Sequence, residues 1–162
     1  MKKEIADAFA EIFRARDEIE QLANQKRQDA TTREEAFRTA FSERVKRVVK
    51  PTFDSLKQLL EENGIGVMVV ESEISSGARR SEPSIGFYAF SDDSRVPSGV
   101  RRPSDANVQL QLSCQAQKGN VGIHECRPTS GGRTAKQQPD VALDSLTEES
   151  IQKSVLTLMQ RP

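Results

Sequence analysis

The chain has 162 residues, a length that suits one domain or one small domain with a helical appendage. Its 24 basic and 24 acidic side chains cancel, whereas a protein that coats nucleic acid is basic overall, so the charge balance argues against that class. Only 35% of the residues are hydrophobic and none is Trp, which indicates a modest core. A core of this kind is often completed by burying surface against another subunit.

The hydrophobic period changes once, near Gly64. Before it, apolar residues recur at steps of three and four; after it come short alternating runs broken by Pro, Gly and Ser. We therefore expect an α+β protein with a helical arm over residues 1–63 and a small α+β domain with Arg-rich loops over residues 64–162. The predicted order is an arm built as a hairpin or as kinked long helices, a four-stranded antiparallel meander and a C-terminal helix.

The first part of the arm, roughly residues 2–28, contains no Gly or Pro and has one apolar stripe flanked by charged residues. Its spacing fits about three heptads of a coiled coil, which would support self-association into a homodimer. The residues predicted to carry that contact are Ile5, Phe9, Ile12, Ile19 and Leu22. Residues 2–20 hold six acids against four bases, the wrong sign for anionic lipid, so we expect no membrane binding.

The second part of the arm leaves two alternatives open. Thr31 and Thr32 each precede a Glu by three residues, the spacing of a capping box, which favours a new helix and a hairpin or bend. The other interpretation is one continuous helix whose middle is solvated. Pro51 must kink or restart the helix because it lacks a backbone N–H, and Gly64 is a natural end for it.

The first two predicted strands, residues 65–74 and 85–90, are apolar on both faces for much of their length, so both faces should be covered by helices or by a partner. A loop is expected over residues 75–82. Phe87 should point away from Tyr88 and Phe90, which favours core packing over a nucleic-acid stacking surface.

The third and fourth predicted strands are residues 108–117 and 121–126, joined by a tight turn at Lys118-Gly119. We expect Ala116 to pair with Val121 and Cys114 to pair with Ile123. This arrangement buries Cys114 as a small hydrophobic residue and places Cys126 on the other face, so the two cannot form a disulfide. His124 and Cys126 are interpreted as edge-strand surface.

Two long segments, residues 91–105 and 127–142, should lie at the same end of the sheet because alternate connections of a meander share an end. They carry basic residues among Ser, Pro and Gly, a composition that suits binding of phosphate or carboxylate. The alternative interpretation is solvated loops balanced by nearby Asp residues. The candidate binding residues are Arg95, Arg101, Arg102, Arg127 and Arg133.

No motif for catalysis, a metal or a cofactor stands out from the sequence. Paired acids lie in loops or at helix ends, and one His with two Cys on opposite faces cannot supply a zinc site. Whether the protein is an enzyme is left open, with the balance against it, and we expect no cofactor. The last helix should begin at Ser145, with Glu148 completing a capping box.

These observations predict a non-enzymatic, homo-oligomeric interaction or adaptor module that uses its helical arm for self-association and binds a further protein partner. The alternative is an anion-, nucleotide- or nucleic-acid-binding domain that uses the arginine-rich end of the sheet to hold a phosphate-bearing ligand. The N-terminus runs directly into charged helical sequence and there are only two cysteines, so a cytoplasmic location is expected.

Overall fold

The computed structural model describes residues 2–76, 80–90, 101–129 and 132–160. The helical elements and the strands follow in the order α1 (Lys3–Arg44), a π-helical turn (Val45–Val49), α2 (Lys50–Glu62), β1 (Gly66–Ser76), β2 (Arg80–Phe90), β3 (Val108–Gln115), β4 (Asn120–Thr129), β5 (Gly132–Val141) and α3 (Glu148–Gln160). Short 3₁₀ turns lie at Pro103–Asp105 and Leu143–Ser145. The α+β class, the antiparallel sheet and the C-terminal helix are confirmed.

The chain forms two compact units, residues 1–36 and residues 37–162. The first unit is the beginning of α1. The second contains the rest of α1, the π-helical turn, α2, the sheet and α3. The change from helix to strand at Gly64 therefore falls inside the second unit.

The arm is not a hairpin. Helix α1 is continuous through residues 31 and 32, and the hydroxyls of Thr31 and Thr32 donate to the carbonyls of Arg27 and Gln28, each at 2.9 Å. A threonine that bonds back to the carbonyl four residues earlier lies inside a helix rather than at its start. Because these hydroxyls serve the preceding turn, the two predicted capping boxes do not form.

The effect expected of Pro51 is confirmed, and it takes the form of a π-helical turn. Lys50 donates its backbone N–H to the carbonyl of Val45, five residues back, and Pro51 then lies in the first turn of α2. A proline is tolerated there because the first N–H groups of a helix have no partner within it. The wider turn thus lets the chain stay helical across the proline.

Gly64 ends α2 as expected, with φ of 82°. Its N–H donates to the carbonyl of Glu61 at 3.1 Å, and the N–H of Ile65 donates to that of Leu60 at 2.9 Å. This pair of bonds is a Schellman motif, in which the left-handed residue is usually glycine. Ile65 and Leu60 are both partly buried against the core, so the turn also directs the chain into β1.

The sheet has five strands in the order β1-β2-β3-β4-β5, not four. The additional strand, β5, lies in the segment predicted to be a loop. It pairs only with β4, and the pairing shifts between Val121 and Ile123, where β5 contains Pro139 and Asp140. Proline cannot donate to a ladder and is confined to edge strands and bulges, so the sequence of β5 resembles a loop.

The β1–β2 hairpin also extends further than predicted. Pairing continues to Ser76 and Arg80, so most of the expected 75–82 loop is strand. The turn at Gly119 is confirmed, with φ of 66°. The β3–β4 register, however, differs by two residues from the prediction, because Cys114 pairs with Val121 and Leu112 pairs with Ile123. A shift of two residues keeps every side chain on its expected face.

The core lies between one face of the sheet and the helical segments of the second unit. Helical side chains such as Phe41, Val49 and Phe53 meet sheet residues such as Phe87 and Leu110. The rings of Phe53 and Phe87 are 5.2 Å apart, centroid to centroid. Helix α3 covers the β3 side of the same face with the buried residues Ile151, Val155 and Leu158.

The opposite face of the sheet carries a second, smaller apolar cluster. Tyr88, Phe90 and Ala106 are buried there, with Met68 and Val70 packed against them. The expected divergence of Phe87 from Tyr88 and Phe90 is therefore confirmed. Because these side chains are buried within a single chain, the two-sided apolar strands do not call for a partner subunit.

The start of α3 lies two or three residues later than predicted. Thr147, not Ser145, caps it: the Ser150 N–H donates to Thr147 Oγ1 at 3.2 Å, and the Thr147 N–H donates to Ser150 Oγ at 2.9 Å. This reciprocal pair is a capping box built with serine instead of glutamate. The prediction required Glu at the fourth position of the capping box and therefore did not identify this cap.

Candidate interaction surfaces

The first candidate surface is a row of exposed apolar side chains on the N-terminal part of α1, here called the arm stripe. All residues from 2 to 33 are exposed. Large apolar side chains within this stretch expose between 46% and 69% of their surface. They are Ile5, Phe9, Ile12, Phe13, Ile19 and Leu22.

An arm stripe of this kind is unusual, because exposed apolar residues normally occur singly. Five of its six members were predicted from the helical spacing. The sixth, Phe13, was not included in the prediction, although it follows Phe9 by a helical step of four. Its ring stacks on that of Phe9, with centroids 6.3 Å apart, so the two rings form one apolar surface.

The second candidate surface is the arginine-rich end of the sheet. β2 and β4 finish at the same end of the sheet, where β3 and β5 begin. Arg95 lies outside the described residues. The other four arginines do not share one site, as the following contacts show.

Arg101 lies against the second face of the sheet. Its guanidinium carbon is 5.3 Å from the centre of the Phe90 ring, a cation–π arrangement. A Cβ on Gly66 would collide with this guanidinium, so the glycine provides the space for it. Its Nε is buried without a hydrogen-bond partner in the described part of the chain.

Arg133 and Arg102 are both exposed. Arg133 donates from Nη1 to the carbonyl oxygen of Ser104, which joins β5 to the turn before β3. Arg102 uses its backbone rather than its side chain, since its N–H donates to Asp105 at 3.0 Å. The Arg133 side chain therefore stabilises the fold of its own chain, whereas the Arg102 guanidinium is exposed to solvent.

Arg127 lies on the opposite face of the sheet from Arg101, in register with Thr134. It lines a small cleft with Glu125, Lys136 and Gln138. Glu125 already accepts a hydrogen bond from Gln138 at 2.7 Å. A carboxylate inside the cleft lowers its attraction for an anion.

A partly buried polar cluster that the sequence did not predict joins α1 to β2. Arg38 donates from Nε and Nη2 to the two carboxylate oxygens of Glu82, at 3.2 and 2.9 Å. Glu82 is buried, and its charge also reaches the thiol of Cys114. Burial first, and then the negative charge and hydrogen bond of Glu82, raise the pKa of Cys114 to about 12.

A raised pKa and burial fit the predicted role of Cys114 as a small hydrophobic residue, because the reactive form of cysteine is the thiolate. Cys126 is on the other face, as predicted, and is 8% exposed. The expectation that Cys126 and His124 lie on an edge strand is wrong: β5 pairs with β4, so His124 and Cys126 face Gln137 and Ala135 in the interior of the sheet.

An open cleft of about 300 Å³ lies beside this cluster, between α1, the π-helical turn and the first two strands. Phe41, Val45 and Pro83 are apolar residues of its lining, and Lys46, Glu71 and Glu73 are charged ones. Charges of both signs and hydroxyl groups in the lining favour no particular class of ligand. We assign it no function.

Among the described residues, no group of three or more His, Cys, Asp or Glu side chains is placed to hold a metal ion. No helix within the described ranges has both the length and the apolar character needed to cross a bilayer. Comparison with protein-family models, curated proteins and solved structures gave no significant match.

Proposed function

We propose that the protein is a non-enzymatic, self-associating interaction module whose arm stripe pairs with a second copy of the chain. The observation that supports this is the exposure of six large apolar side chains along about five turns of one helix. Water contact with such a row is unfavourable, since burial of a large apolar side chain is worth about 1.5–3 kcal/mol. Pairing of two arms would remove this contact.

In this proposal, residues 37–162 remain available for a second protein. The proposed compartment is the cytosol, supported by two free and separately buried thiols. The sheet adds no support for a dimer because its apolar faces are buried within one chain. The arm alone therefore carries the proposal.

The test is a matched pair of charge insertions in the arm. Ile12→Asp places a carboxylate in the arm stripe, whereas Gln21→Asp places the same group on the polar side of the helix. We expect Ile12→Asp to shift the solution mass to the monomer and Gln21→Asp to leave it unchanged. Equal behaviour of the two variants would contradict the proposal.

Anion binding at the arginine-rich end is the second candidate and has weaker support. Arg101 and Arg133 contact their own chain, and Arg127 shares a cleft with Glu125. The exposed guanidinium of Arg102 is what favours it. Titration with inorganic phosphate at low salt, for the intact chain and for Arg102→Ala, tests this candidate, since binding that Arg102→Ala does not weaken would exclude the assignment.

A further inference from the structure

The arm stripe has a heptad seam with one basic residue near its centre. Steps of four and three connect six exposed positions of α1, which alternate between the two inward-facing positions of a coiled coil. These seam positions are Ile5, Phe9, Ile12, Arg16, Ile19 and Ala23. Lys2 and Lys26 continue the same spacing at its two ends.

In a parallel, in-register pair, each seam residue faces its own copy. Arg16 would then face Arg16, with Lys2 and Lys26 likewise facing their copies. The Arg16 layer brings two like charges together in the middle of the seam, where solvent screening is lowest. The Lys2 and Lys26 layers lie at its ends, so the repulsion that distinguishes the parallel arrangement is the one at Arg16.

In an antiparallel pair, the two kinds of seam position face each other. In the register that places Phe9 opposite Ile19, Ile5 faces Ala23 and Ile12 faces Arg16. No two Arg16 side chains then meet. Two like-charged facing pairs remain, Lys2 with Lys26 at each end of the seam, where side chains reach solvent.

The antiparallel arrangement also gives the flanking residue Phe13 a suitable neighbour. Phe13 flanks the seam beside Ile12, so Arg16 of one copy lies level with Phe13 of the other, and an arginine over an aromatic face is attracted to it.

We infer that the occupant of the arm stripe is a second copy of the arm in antiparallel orientation, with Phe9 of each copy facing Ile19 of the other. This inference rests on the proposed self-association and adds its geometry. It assigns roles to Arg16, which excludes the parallel pair, and to Phe13, which lies next to the two-fold axis.

The experiment uses two single-cysteine insertions, Phe9→Cys and Ile19→Cys, in the full chain under mild oxidation. A disulfide requires Cα atoms roughly 4.4–6.8 Å apart. In the antiparallel pair, positions 9 and 9 are ten residues apart along the axis, about 15 Å, and so are positions 19 and 19. Neither variant alone should cross-link, whereas their mixture should form the mixed dimer, identified by a size tag on one variant.

Three controls accompany this test. The unchanged chain, whose Cys114 and Cys126 are buried, should form no dimer on oxidation. Gln21→Cys, on the polar side of α1, should not cross-link with either variant. The pair Ile5→Cys and Ala23→Cys repeats the test at a second layer, in case truncation of Phe9 weakens association, and solution mass under reducing conditions shows that each variant still associates.

The outcomes separate the orientation from the association. Cross-links confined to the mixtures support the antiparallel pair. Cross-linking of Phe9→Cys with itself and of Ile19→Cys with itself would overturn the orientation and leave self-association intact. A monomeric mass for the unchanged chain, with no cross-link in any mixture, would overturn both.

Discussion

Arg38 of α1 and Glu82 of β2, 44 residues apart in the chain, form a two-point salt bridge, with only 19% and 10% of their side chains exposed. The pair connects the end of α1 to β2 across the edge of the core. Removal of one partner of such a pair destabilises the fold, because the other partner is left charged and desolvated.

We therefore predict that Arg38→Met lowers the free energy of unfolding by about 3 kcal/mol, the lower end of the range for such losses. The measurement is urea unfolding at one fixed protein concentration, since association also contributes to stability. Adding Glu82→Gln to this variant should restore part of the loss, because the buried group is then neutral.

The matched control for this prediction is Arg47→Met. Arg47 pairs with Glu43 at 3.6 Å on the surface, with side chains 81% and 52% exposed. Removal of an exposed pair of this spacing costs about 0.3–0.5 kcal/mol. Equal losses for Arg38→Met and Arg47→Met would show that the Arg38–Glu82 pair is not buried in solution.

The raised pKa of Cys114 predicts a loss of stability at alkaline pH. The unfolded thiol ionises near its ordinary pKa of 9.0, while the folded thiol keeps its proton to about 12. The unfolded state therefore binds fewer protons between these values, and the free energy of unfolding falls as the pH rises from 9 to 12. Burial also raises the pKa of Tyr88, which adds a fall in the same direction.

The check is urea unfolding at a series of pH values for the intact chain and for Cys114→Ala. The variant should show a shallower alkaline fall, and what remains should include the contribution of Tyr88. Identical slopes for the two proteins would contradict the role given to Cys114. In addition, Cys114 should resist alkylation in the folded protein at neutral pH.

The cap of α3 predicts that Thr147→Ala lowers the free energy of unfolding. Thr147 accepts the N–H of Ser150, and substitution of a capping Thr by Ala costs about 1 kcal/mol. Thr157→Ala in the same helix is the control, because its hydroxyl only bonds back to the Lys153 carbonyl at 2.8 Å and is exposed. The prediction fails if both variants unfold at the same urea concentration.

The Schellman turn predicts a similar loss of stability for Gly64→Ala. Gly64 has φ of 82°, and a residue with a Cβ pays about 1–2 kcal/mol in the left-handed region. Thermal unfolding should show the loss as a lowered midpoint. Asn63→Ala, at the preceding position with φ of −101°, carries no such strain, so a larger effect there would contradict the assignment.

The parts of the fold that were predicted correctly are those in which one side of an element is buried. The alternation of β3, from Val108 to Gln115, matches its alternating burial, and the spacing of Phe41, Val45 and Val49 matches the buried side of the helical segment. Burial imposes these periods on the sequence, so they can be read back from it.

Where neither face of an element is buried, the sequence shows no hydrophobic period from which the element could be predicted. Strand β5 is exposed along nearly its whole length and contains Pro139, so nothing in its composition separates it from a loop. The Arg38–Glu82 pair was also beyond sequence reasoning, because two charged residues 44 positions apart show no local pattern. The arm stripe could be predicted because its spacing is helical, but its exposure could not.

We propose that a second copy of the chain covers the arm stripe. Sedimentation equilibrium of the intact protein from about one to a hundred micromolar tests this self-association, because complexes held by small interfaces dissociate on dilution over this range. We expect a mass that rises with concentration from the 18.0 kDa of one chain to twice that value. A mass of 18.0 kDa throughout would contradict it.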